Sequence, residues 1–386
     1  MKVLVLSFYF QPDLCAGSFR NTAFVKGLKK IKQVKHIDVV STMPNRYNSY
    51  TKSALKIETG NKVTINRYDI GTHDSGMLDQ SISFIKFAFA ALIHTNGKQY
   101  DLIYASSSRL MTGFVGALIS KKMKVPLYLD IRDIFTDTLK ELLPKPFSFF
   151  VCPPFKMVEK FTINQANKIN IVSGGFKAYF EKYFKQKKIS IFPNGIDNEF
   201  IKGIKGKNSK NSKRIILYAG NIGEGQGLDK ILPDLALYLK DWNFNIIGAG
   251  GAIYKLRNEI IKKQIKNINL IAPISRKELI EKYLEADVLF LHLNSYLSFE
   301  KVLPSKIFEY AATGKPILAG VNGYSKHFIN KEIENAVCFE PCNIENAIKS
   351  FNKLRIKNVQ RKKFIKNYCR EKQMELLVQD VISSLK

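Results

Sequence analysis

A lysine and a glutamate three positions apart, Lys306 and Glu309, have the spacing of an anion site beside a carboxylate. Pro304 suits the first turn of a helix, and Ser305 and Lys306 would add a hydroxyl group, free backbone N–H groups and a cation to a helix end with partial positive charge. Glu309, one turn further on, could accept hydrogen bonds from the vicinal hydroxyl groups of a ribose. The segment is a candidate nucleotide site, although a helix with a proline start and a glycine stop occurs in any α/β protein.

Short apolar strands alternate with helical patterns along the chain, which predicts parallel sheets built from βα units. Residues 201–213 are polar and rich in glycine and lysine, as linkers are. We therefore expect two doubly wound domains whose strands end at a shared central cleft. The expected strands lie near residues 3–9, 37–42, 63–69, 101–106, 125–131, 168–173 and 189–193 in the first sheet, and near 214–219, 243–248, 268–272, 287–292, 315–319 and 336–340 in the second.

In each of the two predicted sheets, a loop that contains glycine follows the first strand. Gly17 would let the backbone of the first loop approach a ligand closely. The second loop holds four glycines between Gly220 and Gly227, and its backbone amides could cradle a pyrophosphate. A dinucleotide-binding loop is the rival interpretation, but the glycine spacing differs from G-x-G-x-x-G and no strand-end acid is evident about 20 residues later.

An arginine between two acidic residues follows the fifth predicted strand. Asp133 would point into the cleft there, and it is our candidate for contact with a second substrate. Alternatively, Asp130 and Asp133 pair with Arg132 or cap the next helix.

The charge is strongly unbalanced, with 61 Lys and Arg against 33 Asp and Glu, a net charge of +28. Such a field attracts polyanions or an anionic lipid leaflet. No nucleic-acid recognition motif accompanies it, so we expect no nucleic-acid partner. Phe84–Ile93 and Leu142–Val151 mix aromatic residues with lysine, as interfacial segments do, which predicts peripheral contact with an anionic membrane; the first segment could equally be a core helix.

The N-terminus begins directly with an apolar strand and has no signal-peptide pattern. No segment reaches the ~20 apolar residues of a membrane span. We therefore expect a cytoplasmic protein, at the inner face of the membrane when it docks there. The five cysteines show no C-x-x-C pair, so neither a disulfide framework nor a zinc site is expected.

The run Pro304–Pro316 resembles the donor-binding segment of retaining GT-B glycosyltransferases of the large family 4 type, which includes bacterial polysaccharide-assembly enzymes. Leu129–Phe135 is similar to the Asp-Leu-Arg-Asp-Leu run of the aminosugar- and fucosamine-transferring branch, and Ile191–Asp197 to the Ile-Pro-Asn-Gly-Val-Asp signature. The loop with Gly17 resembles the family's Pro-x-x-x-Gly-Gly loop, with Ala16 where a first glycine often stands.

The resemblance implies a GT-B fold with an N-terminal acceptor domain over residues 1–200, the linker 201–213, and a nucleotide-sugar domain over 214–363. A C-terminal helix over 364–386 would pack back on the first domain. It also implies transfer from a nucleotide-diphosphate sugar, with UDP as the expected nucleotide, to a glycan or lipid-diphosphate-linked saccharide. The anomeric configuration would be retained, and the pathway would be cell-surface polysaccharide synthesis, such as O-antigen or capsule. No metal or other cofactor is expected.

By the same resemblance, Lys306 would stabilise the leaving diphosphate, Glu309 would orient the ribose, Asp133 would position the acceptor and Ile274 would pack on the base. Donor-binding roles also extend to a set of loop and helix-start residues, namely Gly17, Gly220, Asn221, Gln226, Pro304 and Ser305.

The chain departs from the family pattern at two places. Asn221 and Gln226 stand where many relatives have Arg and Lys, and Lys301, with Glu300 beside it, stands where the first glutamate of the usual pair would fall. Two competing functions are a basic protein that docks on membrane or nucleic acid without catalysis, and an α/β nucleotide-dependent dehydrogenase.

Overall fold

The computed structural model describes residues 1–45, 53–71, 77–107, 110–204 and 214–385. It divides the chain into two compact units. The N-terminal unit contains Met1–Asn194 and Arg370–Lys386, and the C-terminal unit contains Gly195–Cys369. The chain therefore crosses to the C-terminal unit between residues 194 and 195, whereas the sequence predicts a boundary after residue 200. It returns to the N-terminal unit at residue 370, whereas the sequence predicts a return at residue 364. Residues 201–204 of the predicted linker are helical, and 205–213 lie outside the described residues.

The N-terminal unit contains an eight-stranded sheet within the described residues, in the order β3-β4-β2-β1-β5-β6-β7-β8. All neighbouring strands pair in parallel except β3 and β4, which are antiparallel. The strands are β1 Lys2–Leu6, β2 His36–Thr42, β3 Ile57–Gly60, β4 Val63–Tyr68, β5 Leu102–Ser107, β6 Leu127–Ile131, β7 Lys168–Ile171 and β8 Lys188–Ile191. The helices are α1 Ala16–Lys29, α2 Met77–Thr95, α3 Leu110–Met123, α4 Phe135–Leu142, α5 Lys145–Gln165, α6 Lys177–Tyr183 and the C-terminal α15 Arg370–Ser383.

The C-terminal unit contains a parallel six-stranded sheet within the described residues, in the order β11-β10-β9-β12-β13-β14. Its strands are β9 Ile215–Ala219, β10 Asn243–Ile247, β11 Ile268–Ile271, β12 Val288–His292, β13 Ile317–Gly320 and β14 Ala336–Phe339. Its helices are α7 Asn198–Ile204, α8 Leu232–Tyr238, α9 Ile253–Lys262, α10 Arg276–Glu285, α11 Lys306–Thr313, α12 Gly323–Glu332, α13 Ile344–Lys353 and α14 Lys362–Tyr368.

The central strands are mostly apolar because helices cover both faces of each sheet. In the C-terminal unit, Leu217 and Tyr218 of β9 belong to separate buried clusters on opposite faces. In the N-terminal unit, Met374 and Leu377 of α15 join the core formed by β1, β2 and α1. The predicted doubly wound α/β architecture is confirmed, and each of the thirteen predicted strands has a counterpart.

None of the helices in the described ranges is both long enough and apolar enough to cross a bilayer. The predicted interfacial segment 84–93 lies within α2. The second, 142–151, joins the end of α4 to the first turns of α5.

Candidate active site

Helix α11 lies beside β9 and carries the lysine and glutamate of the predicted nucleotide site. It begins at Lys306, two residues after Pro304, so the proline precedes the helix and does not occupy its first turn. The Pro304 carbonyl accepts a hydrogen bond from the Ile307 N–H (3.1 Å). Ser305 is the N-cap residue. Backbone N–H groups in the first turn of a helix have no partner within the helix, so this end can receive an anion.

Two contacts hold α11 in place. The Tyr310 hydroxyl accepts a hydrogen bond from the backbone N–H of Ala219 at the end of β9 (3.0 Å). At the other end Gly314 has the left-handed conformation of a C-cap (φ 75°), and a Cβ atom there would lie 2.4 Å from the Val359 carbonyl oxygen. The helix start is thereby held next to the carboxyl end of β9.

The Lys306 side chain lies over the start of the glycine-rich loop. Its Nζ donates to the Tyr218 hydroxyl (3.0 Å) and lies 4.2 Å from the centre of that ring. Gly220 makes this position possible, because a Cβ atom there would lie 1.8 Å from Lys306 Nζ and its φ of 147° disfavours other residues. Burial lowers the pKa of Lys306 to about 7, with the charge of Glu309 acting in the opposite direction.

Glu309 stands one turn after Lys306 and is partly buried. Its Oε2 accepts a hydrogen bond from the Tyr283 hydroxyl (3.3 Å). Burial raises the pKa of Tyr283 well above its ordinary value, and the negative charge of Glu309 adds to that effect, so the phenol stays a donor. Burial lowers the pKa of Arg276, but the negative charges of Asp197 and Glu309, together with that of Glu199, outweigh it and raise this pKa above its ordinary value. The bond from Tyr283 therefore orients the Glu309 carboxylate.

Asn221 and Gln226, both predicted to bind the donor, bond to each other across the glycine-rich loop. Gln226 Oε1 accepts hydrogen bonds from Asn221 Nδ2 (2.8 Å) and from the Gly223 N–H (3.2 Å). The Tyr218 hydroxyl, which binds Lys306, donates to the Asn221 carbonyl (2.5 Å). The two amides thus fix the shape of the loop and bring no charge to it.

His292 supports the same loop from the end of β12, and sequence reasoning missed it. Its Nδ1 donates to the Gln226 carbonyl (2.6 Å), since a carbonyl can only accept, and its Nε2 accepts from the Cys342 N–H (3.0 Å). The ring is therefore a neutral imidazole. Burial lowers the pKa of His292 to about 4, with the bond to Gln226 acting in the opposite direction. A polar residue at the carboxyl end of an apolar strand was the signal that could have revealed it.

The loop after β10 packs directly against the glycine-rich loop. A Cβ atom at Gly248 would lie 1.8 Å from the Gly220 carbonyl oxygen, and one at Gly250 would lie 2.5 Å from the Ile222 carbonyl oxygen. Both glycines have positive φ, 152° and 158°. The close approach of two backbones requires glycine at these positions, and no sequence motif marks them.

Other residues of the predicted donor site lie around these loops. Ile274 stands between β11 and α10 and packs against the core of the C-terminal unit. Glu300, beside the departure at Lys301, falls in the 3-10 turn Leu297–Lys301 and lines a cavity of about 190 Å³ together with Asn294 and Phe299. A Cβ atom at Gly323 would lie 2.3 Å from the Glu300 carbonyl oxygen, so this turn is closely packed.

The predicted residues of the N-terminal unit lie in a different setting. Gly17 is buried in the first turn of α1, whose N-cap is Cys15, so it belongs to the helix and not to the preceding loop. Asp133 follows β6 and lines a small cavity with Ser107 and Glu159. Burial raises the pKa of Glu159, although Thr136 and Tyr179 both donate hydrogen bonds to its carboxylate.

Asp130 pairs with Arg20 and not with Arg132, the partner predicted from the sequence. Arg20 Nε and Nη2 donate to the two oxygens of Asp130 (2.7 and 2.9 Å), and Asn170 donates a third bond (2.7 Å). Burial raises the pKa of Asp130, but Arg20, the charge of Arg132 and the bond from Asn170 together lower it below its ordinary value. Arg132 bonds to Asn194 instead (3.3 Å). Asp130 therefore has a structural role.

The fold of this chain is similar to that of solved structures. The Anabaena protein HepE, solved in complex with UDP and glucose, aligns over 100% of this chain and 100% of its own, with a TM-score of 0.68 and 15% identity. At this identity the likeness shows the fold alone, and the predicted GT-B fold class is confirmed. Residues 200–370 match the family model described as glycosyl transferases group 1, so this match falls almost entirely within the C-terminal unit.

Two sequence relatives are named as glycosyltransferases. One is WcaI of Escherichia coli K12, named for colanic acid biosynthesis, with 29% identity over 143 residues, 36% of this chain. The other is MJ1178 of Methanocaldococcus jannaschii, with 26% identity over 274 residues, 70% of this chain. The chain spans 34% of the length of the first relative and 66% of the second.

Proposed function

We propose that this protein is a glycosyltransferase that moves a sugar from a nucleotide-diphosphate sugar, bound by its C-terminal unit, to a glycan or a lipid-diphosphate-linked saccharide. One observation carries the proposal. Lys306 Nζ lies over Gly220 at the amino end of α11, and Glu309 follows one turn later. A cation, free backbone N–H groups and an oriented carboxylate are thus combined next to a loop shaped by glycines.

In this proposal the diphosphate of the donor is bound at the start of α11. Negative charge accumulates on the diphosphate as the bond to the sugar breaks. Lys306 and the backbone N–H groups at Ser305 and Lys306 stabilise that charge, and they do so strongly because the amine is shielded from water. Glu309 accepts hydrogen bonds from the ribose hydroxyl groups, while Tyr283 holds its other oxygen.

The finer features of the proposed reaction draw on the relatives and the family resemblance. UDP is the proposed nucleotide because HepE was solved with UDP and glucose. The proposed pathway is cell-surface polysaccharide assembly, such as O-antigen or capsule, because WcaI is named for colanic acid biosynthesis. Transfer of a hexosyl or N-acetylaminosugar group with retention follows the family resemblance of the motifs.

Asp133 is the proposed contact for the acceptor hydroxyl. It stands at the carboxyl end of β6, the edge at which parallel α/β sheets bind ligands, and it borders a small cavity. Among the described residues, no group of three or more His, Cys, Asp or Glu side chains is placed to hold a metal ion. A reaction without a metal or other cofactor stays a prediction, and assays with and without a chelator test it.

Calorimetric titration with a panel of nucleoside diphosphates, with NAD included, tests the binding part of the proposal, and hydrolysis assays on the matching nucleotide sugars measure turnover. We expect UDP to bind, Lys306→Gln to reduce turnover more than nucleoside binding, and Glu309→Gln to weaken binding by at least about tenfold through the lost ribose contact. Glu345→Gln, an exposed glutamate of α13, is the matched control and should change neither quantity.

Two outcomes would contradict the proposal. Binding of NAD in preference to every nucleoside diphosphate would favour a dehydrogenase. Binding that survives Glu309→Gln unchanged but disappears with added salt would favour a basic docking protein without catalysis.

A further inference from the structure

Helix α2 of the N-terminal unit has two apolar faces, and one of them is exposed. Phe84, Phe87 and Ala91 are buried. A second stripe at helical spacing is open to solvent, with Phe89 62% and Ile93 74% exposed, and it also includes Ile82 and Ile85. The segment predicted to be either a core helix or an interfacial one therefore has the features of both.

Helix α5 exposes an even larger apolar surface over its first turns. Phe149 and Phe150 are 76% and 75% exposed, and Phe147 and Met157 are exposed as well. The Phe149 and Phe150 rings contact each other edge to face, with their centres 5.5 Å apart. Isolated exposed apolar residues are common on proteins, but three phenylalanines within four positions of one helix are a patch.

Helix α3 packs between α2 and α5, so the two exposed stripes belong to one layer of helices. On its α5 side the Phe114 ring contacts Phe161, with centres 5.7 Å apart. On its α2 side Lys122 Nζ bonds to Asn96 Oδ1 (3.0 Å), just past the end of α2. We call the outer surface of these three helices the α2–α3–α5 face.

The charges on the α2–α3–α5 face are mostly positive. Lys86 stands in the exposed stripe of α2, and Lys156 and Lys160 are exposed on α5. The single acidic residue of α5, Glu159, is buried and faces the interior, where it accepts hydrogen bonds from Thr136 and Tyr179. Aromatic side chains flanked by lysines, with no exposed acid on α5, suit the boundary of an anionic bilayer.

We propose that the α2–α3–α5 face docks on an anionic lipid bilayer, with the phenylalanines of α5 entering the headgroup boundary and the lysines contacting lipid phosphates. The charge favours lipid over a second copy of this chain, because two such faces would repel each other. The inference goes beyond the proposed reaction and does not depend on it, since every residue involved belongs to the N-terminal unit.

Sedimentation of the full chain with vesicles tests the docking surface. The vesicles contain phosphatidylcholine alone or an equimolar mixture with phosphatidylglycerol. We expect binding to the anionic vesicles only, with a loss of at least about tenfold for the double variant Phe149→Ser, Phe150→Ser, because two exposed aromatic side chains no longer enter the bilayer. Ile261→Ser, an equally exposed apolar residue of α9, is the control.

A second pair of variants tests the charge. Lys156→Glu with Lys160→Glu should weaken binding to anionic vesicles by at least about tenfold and reduce its salt dependence. Lys349→Glu with Lys353→Glu, exposed at the same spacing on α13, should have less effect because the change in net charge is equal but lies elsewhere.

Three results would overturn the inference: equal binding to both kinds of vesicle, unchanged binding of the phenylalanine variant, or a dimer in light scattering that the phenylalanine variant converts to monomer. The last would assign the face to self-association. Circular dichroism and thermal unfolding of each variant check that the protein is folded. Vesicle binding needs no nucleotide. A failure of the docking inference can therefore be distinguished from a failure of the proposed reaction.

Discussion

Nucleotide binding should be accompanied by proton uptake, because the amine that meets the diphosphate is largely neutral in the free protein above pH 7. Burial lowers the pKa of Lys306 to about 7. A diphosphate beside the amine favours the charged form and raises this pKa in the complex. With a pKa near 7, binding should take up about 0.5 proton at pH 7 and about 0.9 proton at pH 8.

The sign of the pH dependence follows from the same equilibrium. Below pH 7 the Lys306 amine is already charged, so the nucleotide affinity is full and changes little. Above pH 7 each binding event must also charge the amine, so the affinity should fall by up to about tenfold per pH unit, until the pH reaches the raised pKa of the complex.

Calorimetry at pH 8 in two buffers with different ionisation enthalpies measures the proton number directly. The phosphate of UDP, whose second pKa is about 6, is already ionised there and adds almost nothing. Lys306→Gln should abolish the uptake, whereas Lys277→Gln, an exposed lysine of α10, should keep it. No uptake by the unmodified protein, or the same uptake by Lys306→Gln, would refute the assignment of Lys306 to the diphosphate.

Three further results are expected. Gly220→Ala should abolish nucleotide binding because its Cβ would occupy the place of the lysine amine, while Gly60→Ala, whose Cβ meets nothing within 4 Å, should bind normally in the same titration. Arg20→Ala should lower the unfolding free energy of the N-terminal unit by about 3–5 kcal/mol in urea denaturation, because it leaves a buried carboxylate without its cation. Lys30→Ala removes only exposed ion pairs and should have a much smaller effect in the same measurement. His292 protonates more readily in the unfolded chain than in the folded one, where its pKa is about 4. Its contribution to the stability of the C-terminal unit is therefore complete above pH 6.5 and is lost as the pH falls towards 4, at up to about 1.4 kcal/mol per pH unit. His292→Asn should flatten that part of a curve of unfolding free energy against pH.

The strands were predictable because parallel strands covered on both faces are continuous apolar runs. Strand β3 was not predicted, because it lies outside the core and has no apolar run. All four of its residues, Ile57–Gly60, are exposed, so it shows neither an apolar run nor an alternation. Its pairing with β4 depends on backbone hydrogen bonds, which leave no mark on composition.

The domain boundary shows where a local pattern is overruled by tertiary contacts. The predicted linker, residues 201–213, begins directly after Phe200, yet Phe200 is fully buried in the core of the C-terminal unit. Arg276 lies over its ring at 4.9 Å and bonds to Asp197 (2.7 Å) and Glu199 (2.9 Å). These partners stand about 80 positions away in the sequence, so only the folded chain shows that α7 belongs to the C-terminal unit.

Within the candidate site, sequence patterns predict together only residues that share one segment, such as Lys306 and Glu309, and their roles stay predictions. These patterns miss the residues that act on them from other elements. Tyr218 contacts the lysine from β9, Tyr283 contacts the glutamate from α10, and His292 bonds to the loop from β12. None of these has a distinctive neighbour in the sequence, because each acts through a contact between separate elements.

The charge of the site explains why Lys306 should matter most in the transition state of the proposed reaction. The amides of Asn221 and Gln226 are neutral and already bonded to each other, so Lys306 and the backbone N–H groups must balance the diphosphate. The bound diphosphate favours the charged form of the amine, and the attraction between them grows as negative charge accumulates on the leaving group. An interaction that strengthens towards the transition state accelerates the chemical step, whereas one that is equal in substrate and transition state does not. Lys306→Gln should therefore lower the turnover rate by a larger factor than the nucleotide affinity.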